Sequence, residues 1–260
     1  MYESTGDGKS VGRCRRLFRS GHAYADIAAL LSEVEPKGRC LDLPAGTGVN
    51  IEGIRAAGFE PVAADLFPEE SAKKGVECSK VDFTELLPFD DASFAAVLCS
   101  EGIEHCPKQL QLIREFARVL EPGGTLMITT PNILNLRARL AFLVNGHASF
   151  ARDPVSEVTQ LRGRSEDGGL YIGHVYLVSY FALRFMLKVA GFDRIQVATA
   201  KYSLSAVCLA PLLWLPARVA TAVLLRKMKR RDVAHEIVSH VLSPDVLYGK
   251  KLILTARKQP

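Results

Sequence analysis

The six cysteines form no C-x-x-C pair, and their spacings match neither a metal-thiolate centre nor a disulfide framework. Several lie within apolar, strand-like runs, where cysteine behaves as a small hydrophobe. A reducing cytoplasm is the compartment this usage implies. Met1 to Ser10 is polar and glycine-rich and lacks the apolar core of a signal peptide. Internal repeats and low-complexity tracts are missing as well. Charge is sparse: 23% of the 260 residues are charged and 48% are hydrophobic, which excludes global disorder and supplies a sizeable core. The length fits one large α/β domain, or one such domain carrying an insertion.

The charge that is present is clustered. The net charge is +5, and two groups of cations carry the excess. Arg13, Arg15, Arg16 and Arg19 lie in a basic N-terminal arm, residues 1–20. Arg226, Lys227, Lys229, Arg230 and Arg231 form the second group. Such clusters suit an acidic partner, either anionic lipid or nucleic acid, or else make a solvated face.

From residue 21 onward, short apolar runs alternate with helical patterns. A helix through Ala28, Leu30 and Leu31 ends before Pro36. Strands are expected at Arg39–Leu43, Pro61–Ala64, Val76–Val81, Phe94–Cys99 and Leu126–Thr130. Helices at Ile51–Ala57, Glu69–Lys74 and Gln109–Leu120 separate them, the last stopped by Pro122-Gly123-Gly124. This alternation implies a mostly parallel sheet with helices on both faces. Beyond Pro131 the pattern predicts a helix at Leu134–Val144, a polar loop from His147 to Gly173, and a helix at Val178–Ala190. Strands at Ile195–Ala200 and Leu252–Ala256 follow. Between those two strands an apolar and basic insertion spans about residues 203–245.

Gly46 and Gly48 stand just after the first strand and just before a helix, where backbone can approach a ligand at the helix N-terminus. A dinucleotide fingerprint requires a third glycine, and Ile51 occupies that place, which disfavours a pyrophosphate binder. The stretch Asp42-Leu43-Pro44-Ala45-Gly46-Thr47-Gly48 instead resembles the first motif of class I S-adenosylmethionine-dependent methyltransferases. That motif reads acidic-x-G-x-G-x-G, and Pro44 replaces its first glycine. Later landmarks extend the resemblance over roughly Gly38 to Asn132: Asp65 at the end of the second strand, Asp82-Phe83 after the third, Leu87 to Phe94, and Leu120 to Leu126. Either aspartate alone would read as a helix cap or a solvated strand end. The resemblance implies a Rossmann-like class I fold. It also implies a cofactor site at Asp42, Pro44, Ala45, Gly46, Gly48 and Ser100. Asp65 would take the ribose hydroxyls, Leu66 would lie against the adenine, and Asp82 with Phe83 would meet the adenine edge.

The fourth strand runs into Ser100-Glu101-Gly102-Ile103-Glu104-His105. Ligands of doubly wound sheets bind beyond the carboxyl ends of strands, so these polar groups lie at the reactive edge. Glu-x-x-Glu-His is similar to the corresponding segment of ubiquinone-pathway and small-RNA 2′-O-methyltransferases. The resemblance implies that Glu101, Glu104, His105 and a later His174 converge, either on a divalent metal (Mg²⁺, Mn²⁺ or Zn²⁺) or as acid–base and positioning groups. Purely structural histidines are the plain alternative. His22, His147, His235 and His240 read as surface or loop residues.

Tyr202 to Ala217 carries no formal charge, yet the run reaches the about twenty residues of a membrane span only by including Arg218, Pro211 and Pro216. An interfacial helix pair on an anionic membrane surface fits better, with a helical lid on the protein's own core or a dimer contact as alternatives. Thr130 to Arg137, the surroundings of His174, and Leu242-Ser243-Pro244 resemble bacterial methyltransferases encoded with surface-polysaccharide genes. The expected reaction is therefore O-methylation of a sugar or lipid-linked glycan by a cytoplasmic enzyme, peripheral on the inner face of the membrane. A catechol-like quinone precursor is the rival acceptor, and a non-catalytic cofactor-binding scaffold the rival role. Nucleic acid is disfavoured because the second basic cluster adjoins a strongly apolar run.

Overall fold

The computed structural model describes residues 23–150, 154–164, 170–226 and 228–260. The basic arm of residues 1–20, together with His22 and Lys227, lies outside the described residues. After the first helix, α1 (Ala23–Ser32), the chain lays down β1 (Arg39–Asp42), β2 (Glu60–Asp65), β3 (Cys78–Lys80), β4 (Phe94–Ser100) and β5 (Leu120–Pro131). Crossing helices α2 (Ile51–Ala56), α3 (Pro68–Ala72) and α4 (Gln109–Val119) connect them. These five strands pair in parallel in the order β3-β2-β1-β4-β5. Phe94 to Cys99 are all buried, as expected of a central strand covered on both faces. On α4, Leu112, Ile113, Phe116 and Val119 recur at helical spacing and enter the larger core.

The chain then forms α5 (Leu136–Asn145), a short α6 (Glu157–Gln160), a hairpin of β6 (Leu161–Arg164) and β7 (Leu170–Ile172), and α7 (Tyr180–Val189). Two further strands, β8 (Phe192–Ala198) and β9 (Lys251–Lys258), complete the seven-stranded sheet. Strand β9 is antiparallel to both β5 and β8. The fold is the Rossmann-like class I architecture implied by the sequence, and several boundaries differ. The Pro122-Gly123-Gly124 turn lies inside β5 rather than ahead of it, because Phe94 pairs with Leu120 before a register shift. The segment between His147 and Gly173 contains α6 and the β6–β7 hairpin where the sequence predicts only loop.

The insertion folds as helices α8 (Leu204–Cys208), α9 (Ala210–Arg226), α10 (Arg231–Val241) and α11 (Pro244–Tyr248). Pro216 sits within α9. Leu213 and Ala217 of α9 pack on a small core of Leu136, Ala206 and Leu247, so one face of the insertion is a cover on the protein itself. His240 departs from its surface reading: its Nδ1 lies 2.7 Å from the Tyr180 hydroxyl, tying α10 to α7. Beside it, Arg184 donates to both carboxylate oxygens of Glu236, each at 2.7 Å. Among the described residues, no helix is long and apolar enough to cross a membrane.

Candidate active site

Strand order reverses between β1 and β4, and the crevice at such a switch point is where doubly wound sheets hold ligands. The loop leaving β1 forms one wall. Its Leu43–Pro44 peptide is cis, and Gly46 and Gly48 adopt φ of +55° and +73°. A Cβ on Gly46 would meet nothing within 4 Å, so the loop opens onto space. Pro44 costs the loop one N–H, yet the neighbouring donors remain tied: Leu43 N donates to Leu98 O at 3.0 Å and Ala45 N to Ala64 O at 2.9 Å. The Pro44 ring packs on the next wall. A Cβ on Gly102 would stand 2.2 Å from Pro44 Cδ, so only glycine lets the two loops meet.

Asp65 braces the glycine turn. Its Oδ2 accepts from Gly46 N at 2.7 Å and its Oδ1 from Phe67 N at 2.9 Å. An ionised carboxylate has about four lone-pair sites, so acceptor capacity remains for a diol. Asp42 is fully buried, and its Oδ1 accepts from Asn50 Nδ2 at 3.3 Å. Among the described residues, Asp42 Oδ2 and Asn50 Oδ1 have no hydrogen-bond partner. Burial, with a smaller contribution from the Asp65 charge, pushes the Asp42 carboxyl up to about 8. Two buried polar atoms without partners behind the glycine turn are an exception to the rule that buried polar groups are paired. Leu66 and Phe83 are half-buried, while Asp82 is exposed and accepts from Thr84 N and Oγ1 at 2.8 and 2.7 Å. The Ser100 hydroxyl lies 3.3 Å from Thr129 Oγ1.

Beyond β4, a 3-10 turn at Ile103–His105 carries the opposite wall. Glu104 is completely buried; its Oε2 accepts from Thr130 Oγ1 at 3.0 Å and, among the described residues, its Oε1 has no hydrogen-bond partner. Burial, and secondarily the charge of Glu101, push its carboxyl up to about 7. His174 reaches this turn by specific links. Tyr176 N donates to Glu104 O at 3.0 Å, and Gln109 Nε2 bridges Ile103 O and Tyr176 O at 3.0 and 2.7 Å. The rings of His105 and His174 meet edge to face with centroids 4.9 Å apart. Ligand atoms of Glu104, His105 and His174 all lie within 4.8 Å of one another, a spread that one divalent cation could draw together. Glu101 stands outside this group. It adopts a φ of +54°, and its Oε2 pairs with Lys251 Nζ at 3.3 Å while its Oε1 accepts from Thr129 Oγ1 at 3.2 Å. The expected set of four is thus a cluster of three with an ion pair beside it. Asn50, Gln109, Gly102 and Lys251 were not singled out from the sequence. Asn50 was within reach as the residue opening the helix after the glycine loop, whereas Lys251 arrives through antiparallel pairing of distant strands.

A methyltransferase domain family model matches residues 15–197, more than half of the chain. A ubiquinone biosynthesis O-methyltransferase of Xanthomonas axonopodis pv. citri is 36% identical over 131 residues, covering 46% of this chain and 54% of that protein. A demethylmenaquinone methyltransferase of Clavibacter sepedonicus is 40% identical over 99 residues, covering 35% of this chain and 40% of that protein. The chain therefore spans about half the length of the curated relatives it matches. In structure, a SAM-dependent methyltransferase from Archaeoglobus fulgidus aligns with a TM-score of 0.55 at 16% identity, covering 90% of this chain and 92% of the other, which establishes likeness of fold.

Proposed function

The chain belongs to the class I S-adenosylmethionine-dependent methyltransferases, and from that premise we propose that it methylates a hydroxyl oxygen of a catechol-like quinone precursor. The observation that carries this reading is the Glu104–His105–His174 cluster at the carboxyl end of β4, on the same edge as the glycine loop. The names of the curated relatives favour a quinone precursor over the glycan or glycolipid expected from the C-terminal half. Pro44 in place of the motif's first glycine is the feature that favours a non-catalytic scaffold, and the loop around it keeps its strand hydrogen bonds.

S-adenosylmethionine supplies a methyl group on a sulfonium that carries its own leaving group, which leaves the protein to orient and to remove a proton. Gly46 and Gly48 would let backbone approach the cofactor, and the unpaired oxygens of Asp42 and Asn50 would attract its ammonium. Asp65 accepts from the ribose hydroxyls. Leu66 and Phe83 flank the adenine, with Asp82 at its amino edge and Ser100 at the β4 wall. As the acceptor oxygen bonds the methyl carbon and the carbon–sulfur bond breaks, an imidazole nitrogen of His105 or His174 takes the hydroxyl proton. The same residues fit Mg²⁺, Mn²⁺ or Zn²⁺, because among the described residues the buried Oε1 of Glu104 has no hydrogen-bond partner. With such a cation bound, both histidines would be ligands rather than bases, and the cation would ease loss of the hydroxyl proton by lowering its pKa.

Mass spectrometry of candidate acceptors after incubation with S-adenosylmethionine tests the reading. Gain of one methyl on a catechol, lost on chelation and restored by divalent metal, is the expected result. Chelator-resistant transfer removes the metal and leaves the histidines as bases. Transfer to a glycan hydroxyl with none to catechols overturns the acceptor.

A further inference from the structure

Helix α9 is apolar on two opposite faces. Its inner face, with Leu213 and Ala217, covers the core beneath the insertion. Its outer face carries Leu212, Leu215, Val219 and Val223, which are 68%, 60%, 55% and 48% exposed. At 3.6 residues per turn these four fall within an arc of about 80°. Among the described residues this apolar stripe stays turned to water, and an apolar surface of this length marks a site with an occupant.

The surroundings of the stripe identify that occupant. Arg218 stacks over the Trp214 ring at 5.1 Å, an aromatic–cation pair of the kind that settles at a headgroup boundary. At the far end, Arg226, Lys229 and Arg231 are exposed and, among the described residues, enter no ion pair. Arg230 differs, since Asp232 neutralises it at 2.7 Å. Helix α5, packed beside α9, ends in exposed Phe142, Leu143 and Val144. Exposed apolar side chains bordered by unpaired cations complement a surface that is apolar beneath and anionic above. The helix cannot cross such a layer, because no helix of the described residues is long and apolar enough.

Topology places this helix at the reactive edge. The insertion leaves the carboxyl end of β8 and enters the amino end of β9. Strand β9 is antiparallel to β5, so both points lie at the edge where β4 and β5 end. Lys251, the first residue of β9, is the partner of Glu101. We infer that α9 lies in the plane of an anionic membrane surface and thereby presents the Glu104–His105–His174 edge to acceptors held in the lipid. The delivery of acceptor rests on the methyl-transfer reading; the docking does not.

Flotation with phosphatidylcholine vesicles, with and without phosphatidylglycerol, separates the two. The wild type is expected to float only with the anionic vesicles, and salt is expected to release it. Replacing Arg226, Lys229 and Arg231 together with glutamine weakens binding by about fivefold per cation, on the order of a hundredfold in all. The Leu215→Gln, Val219→Gln variant loses flotation while keeping its thermal melt and its methylation of a water-soluble acceptor. A wild type that ignores anionic vesicles at low salt overturns the inference, as does a double variant that floats like the wild type. A dimer in sedimentation that the double variant dissociates assigns the stripe to a second copy instead. Flotation is read without acceptor, so failure of methyl transfer leaves this result standing.

Discussion

Asp42 is a carboxylate that the fold buries without a full set of partners. Its raised pKa means that ionisation opposes folding: the stability it permits is complete below its unfolded value of 3.8 and is lost as pH rises through about 8. An ammonium group bound against it reverses that preference. Asp42→Asn is therefore expected to flatten the fall in melting temperature between pH values of about 4 and about 8, while weakening S-adenosylmethionine binding. A variant that melts and binds like the wild type at every pH would show the carboxylate to be idle. Gly102 tests the contact between the two walls. Gly102→Ala drives a methyl into Pro44, and overpacking of this kind costs about 1–3 kcal/mol. Pro44→Ala in the same chain should return most of that loss in urea unfolding, and strict additivity of the two changes would disprove the contact. The sequence pointed to Pro44 as a departure from a glycine motif, but its partner at residue 102 is visible only once β1 and β4 are neighbours.

Helix α4 shows what an element contributes beyond its apolar face. Arg118 donates to Leu87 O and Phe89 O at 2.9 and 2.8 Å, to Asp91 at 2.7 Å, and to Glu115. Glu115 in turn accepts from Leu87 N at 3.0 Å. This network holds the segment leading into β4. Hydrogen bonding to Arg118 keeps the Glu115 carboxyl below its usual range, so its stabilisation is present above pH of about 4.5 and fades as pH falls further. Arg118→Ala should cost about 1–3 kcal/mol in urea unfolding at neutral pH, with the deficit shrinking in acid. An unchanged midpoint would mean that the loop stands without it. The apolar spacing of α4 was legible from sequence, since burial imposes a 3.6-residue period. The extent of β5 was not, because Pro122-Gly123-Gly124 signals a turn and the pairing of Leu120 with Phe94 overrides it. Likewise the β6–β7 hairpin lacks a clear alternating pattern, and its pairing is local to a two-stranded ribbon.

At the scale of the molecule, the succession of strand, glycine turn and helix was enough to predict a parallel sheet, and the switch point follows from strand order. The cluster beyond β4 was half written in the sequence: Glu104 and His105 are adjacent in the chain. His174 arrives from a distant loop through Gln109 and Tyr176, and Glu101 is drawn off by Lys251 from the far end of the chain. Long-range pairings of that kind leave no periodic trace. Methyl transfer by this chain requires a cofactor seated against the glycine loop and Asp65. Calorimetric titration with S-adenosylmethionine tests this most directly. The wild type should bind one equivalent, and Asp65→Ala, checked for an intact melt, should bind more weakly by about 1–3 kcal/mol, as expected for hydroxyls left unpaired. Absence of binding by the wild type, or equal binding by the variant, would contradict it.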